Sequence, residues 1–360
     1  MGMTTRTFDD GRRRTVVEAS AADLGWLSEF LHPAYQAREE AAPRRNAPRV
    51  VLEEAEGLEA PGVSDPGRVA FVMDSGPLRL PEARKRAGTW HVGAMPGVHL
   101  RVDAEGLQAS VVFQAAARPS ARIVLMRVVR EHTHNHAIAA GDVVLHAAAV
   151  VDGGRALAVA GPKGAGKTTL LLQLLSAPGV GYLSNDRISV NPCGTARAVP
   201  TIVAVRPGTQ ALVPTAAARL AGAGDFRRQR DDHAGAAAPV SRGGVWYVCP
   251  AQLAAAVARP MNAEAPLAGI AVLAPAGRRA TTVSRLSEDE ARRALVSTLI
   301  GHRAGTYVSD LFSPPSSAIG RDDLVARCAR LARHVPVYSV RMGATPGPDE
   351  AARVLEACAR

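Results

Sequence analysis

One stretch constrains this chain more than any other: Ala156 to Leu175, ALAVAGPKGAGKTTLLLQLL. Inside it, Gly161-Pro162-Lys163-Gly164-Ala165-Gly166-Lys167-Thr168 is a complete Walker A pattern. Its flanks suit it. Ala156 to Ala160 is an apolar run of strand length, and Thr169 to Leu175 is apolar, rich in helix formers and free of breakers. A strand, a glycine loop and a helix N-terminus together make an anion site. Backbone N–H groups turn inward around phosphate oxygens, and the helix dipole favours negative charge. Lys167 is expected to reach the β- and γ-phosphates of ATP, and the Thr168 hydroxyl to ligate Mg²⁺, with Thr169 closing the nucleotide-binding set. The only lysines are Lys85, Lys163 and Lys167, in a chain that otherwise uses arginine. Two of the three lie in this loop, where a compact ammonium does what a planar guanidinium cannot.

A length of 360 residues suggests two domains, drawn here at 1–139 and 140–360. No run approaches the roughly 18 apolar residues of a membrane span. The opening MGMTTRTFDDGRRRTVV lacks the apolar core of a signal peptide. A cytoplasmic protein without a membrane partner is expected. Cys193, Cys249, Cys328 and Cys358 are far apart, which fits free buried thiols in a reducing compartment. The formal net charge is +10, but no aromatics interleave with the basic residues. Solvated arginine faces explain the charge better than nucleic acid does.

In chain order, Asp23 is expected to cap a helix from Leu24 to Leu31, closed by Pro33. Residues 37–69 read as an irregular charged stretch with at most one strand, at Arg49 to Glu53. Val69 to Met73, Thr89 to Val92, Val98 to Asp103, Ala109 to Phe113 and Ile123 to Val128 suggest a small antiparallel β unit. Glu131-His-Thr-His-Asn-His136 reads as a polar turn; on a strand its alternate histidines would share a face and suit a metal. Val143 to Val151 is an apolar run carrying His146, and Asp152-Gly153-Gly154 is a hairpin turn signal. After the loop helix come a strand at Gly181 to Ser184, a hairpin from Arg187 to Val199, and a strand at Thr201 to Val205. Residues 207–242 look like an excursion. Strands at Val245 to Val248 and Leu267 to Leu273, helices at Gln252 to Ala258, Ser287 to Ile300 and Leu324 to Ala332, a strand at Val335 to Val340 and a helix from Pro348 to Ala359 complete the reading.

With these residues assembled, positions 140–360 resemble the HPr kinase/phosphorylase-like group of P-loop proteins, related in fold to phosphoenolpyruvate carboxykinase. The likeness rests on Leu145-His146-Ala147 before a strand pair, on Gly161 to Thr168, on Leu183-Ser-Asn-Asp186 followed by a hairpin, and on the tail from Leu331 to Val340 with its closing helix. The resemblance implies an α/β protein: a P-loop, phosphoenolpyruvate carboxykinase-like C-terminal domain with a smaller α+β N-terminal domain. It also implies an ATP-dependent kinase acting on a hydroxyl of a peptide, protein or small molecule, and a homo-oligomer.

Phosphoryl transfer needs a metal and a positioned nucleophile. A carboxylate at a strand end beside the loop can hold Mg²⁺, and a second can take the hydroxyl proton. The bifunctional HPr enzymes have Asp at both positions; here the pair is Asn185 and Asp186. An amide cannot serve as a base at neutral pH. Asp186 is then the expected metal ligand with Thr168, and Asp186 or His146 the expected base. Arg206, Arg227, Arg228, Arg230 and Arg242 are candidates for phosphate or substrate contacts. The alternative is a catalytically weak nucleotide-binding accessory protein, for which Asn185 is the main argument. On that view Asn185→Asp would raise transfer. No L-S-G-G-Q-like signature follows the loop helix, which argues against a transport ATPase.

Overall fold

In a computed structural model, residues 2–39, 47–56, 83–86, 88–95, 97–221, 244–274, 280–300, 311–314, 318–343 and 347–359 are described. The chain divides into two compact units. The first comprises Met1–Leu31, Tyr35–Ala140 and Gly301–Gly320; the second comprises His32–Ala34, Gly141–Ile300 and Arg321–Arg360. The chain passes from one unit to the other at residue 140, and residues 301–320, expected from the sequence in the second domain, belong to the first unit.

Among its described residues the first unit is a mixed sheet with two α-helices. Met3–Asp9 (β1) and Arg14–Ser20 (β2) form a hairpin, followed by Ala21–Leu31 (α1) and Gln36–Glu39 (β3). Arg49–Glu54 (β4), Ala83–Arg86 (β5), Thr89–Met95 (β6), Val98–Val102 (β7) and Gln108–Phe113 (β8) complete the order β3-β1-β2-β4-β8-β7-β6-β5. The expected strands at Thr89 to Val92, Val98 to Asp103 and Ala109 to Phe113 do pair antiparallel as β6, β7 and β8, but they belong to a mixed sheet in which β4 pairs in parallel with both β2 and β8. The expected strand at Val69 to Met73 lies outside the described residues.

The larger correction concerns Arg118–Ala139 (α2), a 22-residue helix. It absorbs both the expected strand at Ile123 to Val128 and the expected turn at Glu131 to His136. Pro119 sits in its first turn, where a missing N–H costs nothing. All eight residues from Val128 to Asn135 are buried, more than two full turns. Over that stretch the helix is enclosed on every side, and it has no polar face by which its period could be read. His132 packs against Phe312 at 4.6 Å between ring centroids. On a helix His134 is turned about 200° from His132 and from His136, so the three histidines do not share one face as they would on a strand. Among the described residues no group of three or more His, Cys, Asp or Glu could hold a metal ion.

The second unit is organised on Glu264–Leu273 (β17), which two sets of strands share. In chain order its earlier elements are Val143–Leu145 (β9), Ala147–Asp152 (β10), Arg155–Ala160 (β11), Lys167–Leu174 (α3), Gly181–Ser184 (β12), Ile188–Val190 (β13) and Thr195–Ala198 (β14). Val203–Val205 (β15), Pro207–Leu212 (α4), Pro214–Ala221 (α5), Trp246–Val248 (β16) and Pro250–Val257 (α6) follow. After β17 come Thr282–Arg285 (β18), Glu288–Ser297 (α7), Arg321–His334 (α8), Val337–Arg341 (β19) and Pro348–Ala359 (α9). The first residues of β17 pair with β14, and the later ones pair in parallel with β11 and β19. The path runs β12-β10-β11-β17-β14-β13-β9. Strands β9 and β10 stand near opposite ends of that path, yet one residue, His146, joins them.

Several sequence expectations describe this unit well. The Asp152-Gly153-Gly154 turn closes the β10–β11 hairpin, with both glycines at positive φ. Ser287 caps α7 in a capping box with Glu290. Of the excursion at 207–242, residues 207–221 form α4 and α5, and residues 222–243 lie outside the described set. Cys249, Cys328 and Cys358 are buried free thiols, but Cys193 is exposed. The core joins Leu157 and Val159 of β11, Leu170, Leu171 and Leu174 of α3, and Val354, Leu355 and Cys358 of α9. Each such aliphatic side chain contributes about 1.5–3 kcal/mol on full burial.

Candidate functional site

The site begins where β11 leaves the sheet. Ala156 to Ala160 are wholly buried between β10 and β17, so the loop that follows starts from a fixed point. Gly161, Gly164 and Gly166 all take positive φ, and Gly166 is the left-handed N-cap of α3. A Cβ on Gly161 would also press on Leu273 and Ala165. At Gly164 and Gly166 it would meet nothing within 4 Å. There glycine is needed for backbone conformation, and the space beside the loop is open. Pro162, Lys163 and Gly164 are exposed, while Ala165 and Thr168 are half-buried.

Lys167 opens α3 and is 8% exposed. Its Nζ donates to the Gly161 carbonyl at 2.9 Å and the Pro162 carbonyl at 3.1 Å. Burial lowers its pKa, and the charge of Asp186 pulls the other way. The hydroxyl of Thr168 makes no hydrogen bond to a described residue. That of Thr169 is paired at 2.9 Å with Thr209 of α4, which ties the loop helix to the segment after β15.

Two further side chains converge on this loop from the neighbouring strands. His146 interrupts the apolar run between β9 and β10, with its N–H bonded to the Thr298 carbonyl. Asp186 lies in the bend after β12. The His146 Nε2 and Asp186 Oδ1 are 3.0 Å apart, with side chains 31% and 39% exposed. Burial alone would raise the pKa of Asp186. Burial is the largest single influence, but the hydrogen bond to His146, the charge of Arg187 and the charges of His146 and Lys167 together outweigh it and bring the group down to about 2. Asp186 is therefore a carboxylate at neutral pH, and its Oδ1 takes the Nε2–H of the ring. Arg187 Nε stands 3.6 Å from the other oxygen.

Asn185 does not join this group. Its Oδ1 accepts from the Tyr182 hydroxyl at 2.8 Å, and its Nδ2 donates to the Ile202 carbonyl at 3.3 Å. Only 6% of Asn185 is exposed. Burial raises the pKa of Tyr182, with Cys249 and Asp186 adding to the effect, so the phenol stays a donor. Asn185, a candidate catalytic residue from the sequence, has both ends of its amide engaged within the fold. The structure brings Lys167, Asp186 and His146 together and turns Asn185 away.

Sequence reasoning missed Tyr182, Arg187 and Thr209, which support the site without belonging to any motif. Arg206 is exposed at the N-terminus of α4; Arg227, Arg228, Arg230 and Arg242 lie outside the described residues. No protein-family model matches the chain, and no curated protein matches it in sequence. Among the described residues no helix is long and apolar enough to cross a membrane.

Proposed function

We propose that this chain is an ATP-dependent phosphotransferase acting on a hydroxyl. The observation that carries the reading is the convergence of Lys167, at the start of α3, with the Asp186–His146 pair. We also infer that the second unit is a P-loop domain of the phosphoenolpyruvate carboxykinase-like kind, in keeping with its resemblance to HPr kinase-like proteins. A cytoplasmic location and a homo-oligomer belong to the same reading.

The residues present fit Mg²⁺-ATP. Open space lies beside Gly164 and Gly166, and the first N–H groups of α3 have no helical acceptor. The Thr168 hydroxyl and the Asp186 carboxylate are hard oxygen donors of the type Mg²⁺ prefers when it keeps waters and phosphate oxygens as its other ligands. Bound there, the metal would neutralise charge between the β- and γ-phosphates. The chain's own part is then positional and acid–base. The loop N–H groups would bind phosphate oxygens, and Lys167 would leave the Gly161 and Pro162 carbonyls for the transferring group. Asp186 keeps the His146 ring oriented through Nε2–H. Nδ1 is the nitrogen left to take the proton of an acceptor hydroxyl. A carboxylate held near pH 2 is a poor base at neutrality, which favours His146 over Asp186 for that task. The acceptor is a serine or threonine of a peptide or protein, or a small-molecule alcohol.

A second reading is a nucleotide-binding accessory protein of weak catalytic power. What favours it is the closed state of Lys167 on loop carbonyls and the absence of a second carboxylate at 185. The deciding experiment is ADP release from Mg²⁺-ATP alone, with pooled small metabolites, and with pooled Ser/Thr peptides. Stimulation by one pool, lost in Lys167→Ala, establishes transfer and its acceptor class. Tight ATP binding with no stimulated release establishes the accessory role.

A further inference from the structure

Asn185 stands where a second carboxylate would make a stronger phosphotransferase site, and a decayed catalytic acid is the obvious reading of it. The geometry points elsewhere. The side chain is buried, and it must accept at one end and donate at the other. A neutral amide does both, and an ionised carboxylate of the same shape can only accept. A carboxylate there would still accept from Tyr182, but it would set a buried charge against the Ile202 carbonyl and leave that carbonyl without its donor.

We propose that Asn185 is a positioning residue, required as an amide, which clamps the bend carrying Asp186 to the segment that precedes β15. The bend has three ties. Ser184 Oγ donates to the Arg187 carbonyl at 2.6 Å across it. Tyr182, in the core under α3, donates to Asn185. Asn185 donates to Ile202, next to β15. From β15 the chain passes into α4, where Gln210 Nε2 donates back to the Val205 carbonyl at 2.9 Å and Thr209 meets Thr169 of the loop helix. The carboxylate and the phosphate loop are thus referred to one another through a short chain of hydrogen bonds, and Asn185 is its link at the carboxylate end. The role given to Asp186 rests on the function proposed above; the clamp does not.

The test compares Asn185→Asp and Tyr182→Phe with the parent in two measurements. The first is affinity for a non-hydrolysable ATP analogue with and without Mg²⁺. Both variants should lose about tenfold of the metal-dependent gain, with metal-free affinity unchanged. Turnover, where present, should fall in kcat, and KM for Mg²⁺-ATP should rise. Asn185→Asp that raises turnover, with melting temperature and metal response intact, overturns the clamp in favour of a missing base. The second measurement is a double-mutant cycle of thermal unfolding that pairs Tyr182→Phe with Asn185→Ala, each of which removes the Tyr182–Asn185 hydrogen bond. Strongly non-additive losses carry the clamp, and additive ones overturn it. Should Asn185→Asp fail to fold, Tyr182→Phe decides alone: an unchanged metal response and melting temperature sink the proposal. A parent with no nucleotide affinity would sink the proposed function, and the unfolding cycle would still judge the clamp.

Discussion

Two aspartates, one in each unit, show what separates an acid that builds a fold from one that serves a site. In the first unit, the Asp23 side chain is 2% exposed and both its oxygens are taken. Arg122 Nε donates to Oδ1 at 2.7 Å; Arg118 Nη1 at 2.8 Å and Ser20 Oγ at 2.5 Å donate to Oδ2. Arg122 is itself wholly buried and lies over the Trp26 ring at 5.8 Å. Three donors and near-complete burial close this carboxylate to an incoming ligand. Asp186 in the second unit has one short partner, His146, a longer contact to Arg187, and a side chain 39% exposed. It is charged and anchored, yet it keeps lone pairs for a ligand. Saturation marks the structural acid; spare capacity beside a glycine loop marks the site.

The comparison breaks most readily at Asp23. Asp23→Ala leaves the Arg122 guanidinium buried without its counter-charge, and should cost about 3–5 kcal/mol in denaturant unfolding. Asp186→Ala should cost far less, because its partners are partly solvated. Equal losses for the two variants would remove the distinction. Next in size is Lys167→Ala, which should lower stimulated ADP release by about a thousandfold while leaving the unfolding midpoint nearly unchanged. An unaltered rate would show that the loop does not hold a reacting phosphate. His146→Gln keeps a donor toward Asp186 but supplies no base, and should reduce kcat by about a hundredfold. Single-turnover kinetics would reveal a smaller effect if Asp186 were the base after all.

The smallest expected effect is on acid stability. Folding holds the Asp186 pKa at about 2, below the ordinary carboxylate value near 3.9. Its contribution is therefore complete above the unfolded value and fades as pH falls from about 4 toward 2. Partial exposure limits it to under about 1 kcal/mol. The difference between the parent and Asp186→Asn, followed by urea unfolding from pH 5 to pH 2.5, should shrink across that window. A constant difference would show that the His146 contact does not persist in solution.

How far the sequence tells all this depends on where polar groups lie. The strand, loop and helix from Ala156 to Leu174 were legible because each piece has its own local chemistry: apolar run, glycines, helix formers. The 152–154 turn and the α7 capping box were legible for the same reason. Asp186 and His146 were found as residues, but their pairing depends on β12 lying beside β10, which no local pattern encodes. The helix α2 was missed because its hydrophilic residues, Arg122, Arg130, Glu131, His132, His134 and Asn135, are all buried, and so supply no amphipathic stripe. The β1–β2 hairpin was missed because MTTRTFD and RTVVEAS alternate weakly, although Asp10-Gly11 marks the turn between them. Asn185 was seen as a substitution in a motif, when its identity is set by Tyr182 and Ile202.

The single-residue link at His146 has a consequence for how this site tolerates change. β9 pairs with β13, in the strand set that meets the start of β17, while β10 pairs with β11 and β12, in the set that meets its later residues. The imidazole stands at the one-residue crossing between the two sets, so its bearing depends on both. A chain lengthened by one residue at this crossing should detune the histidine without altering any group it touches.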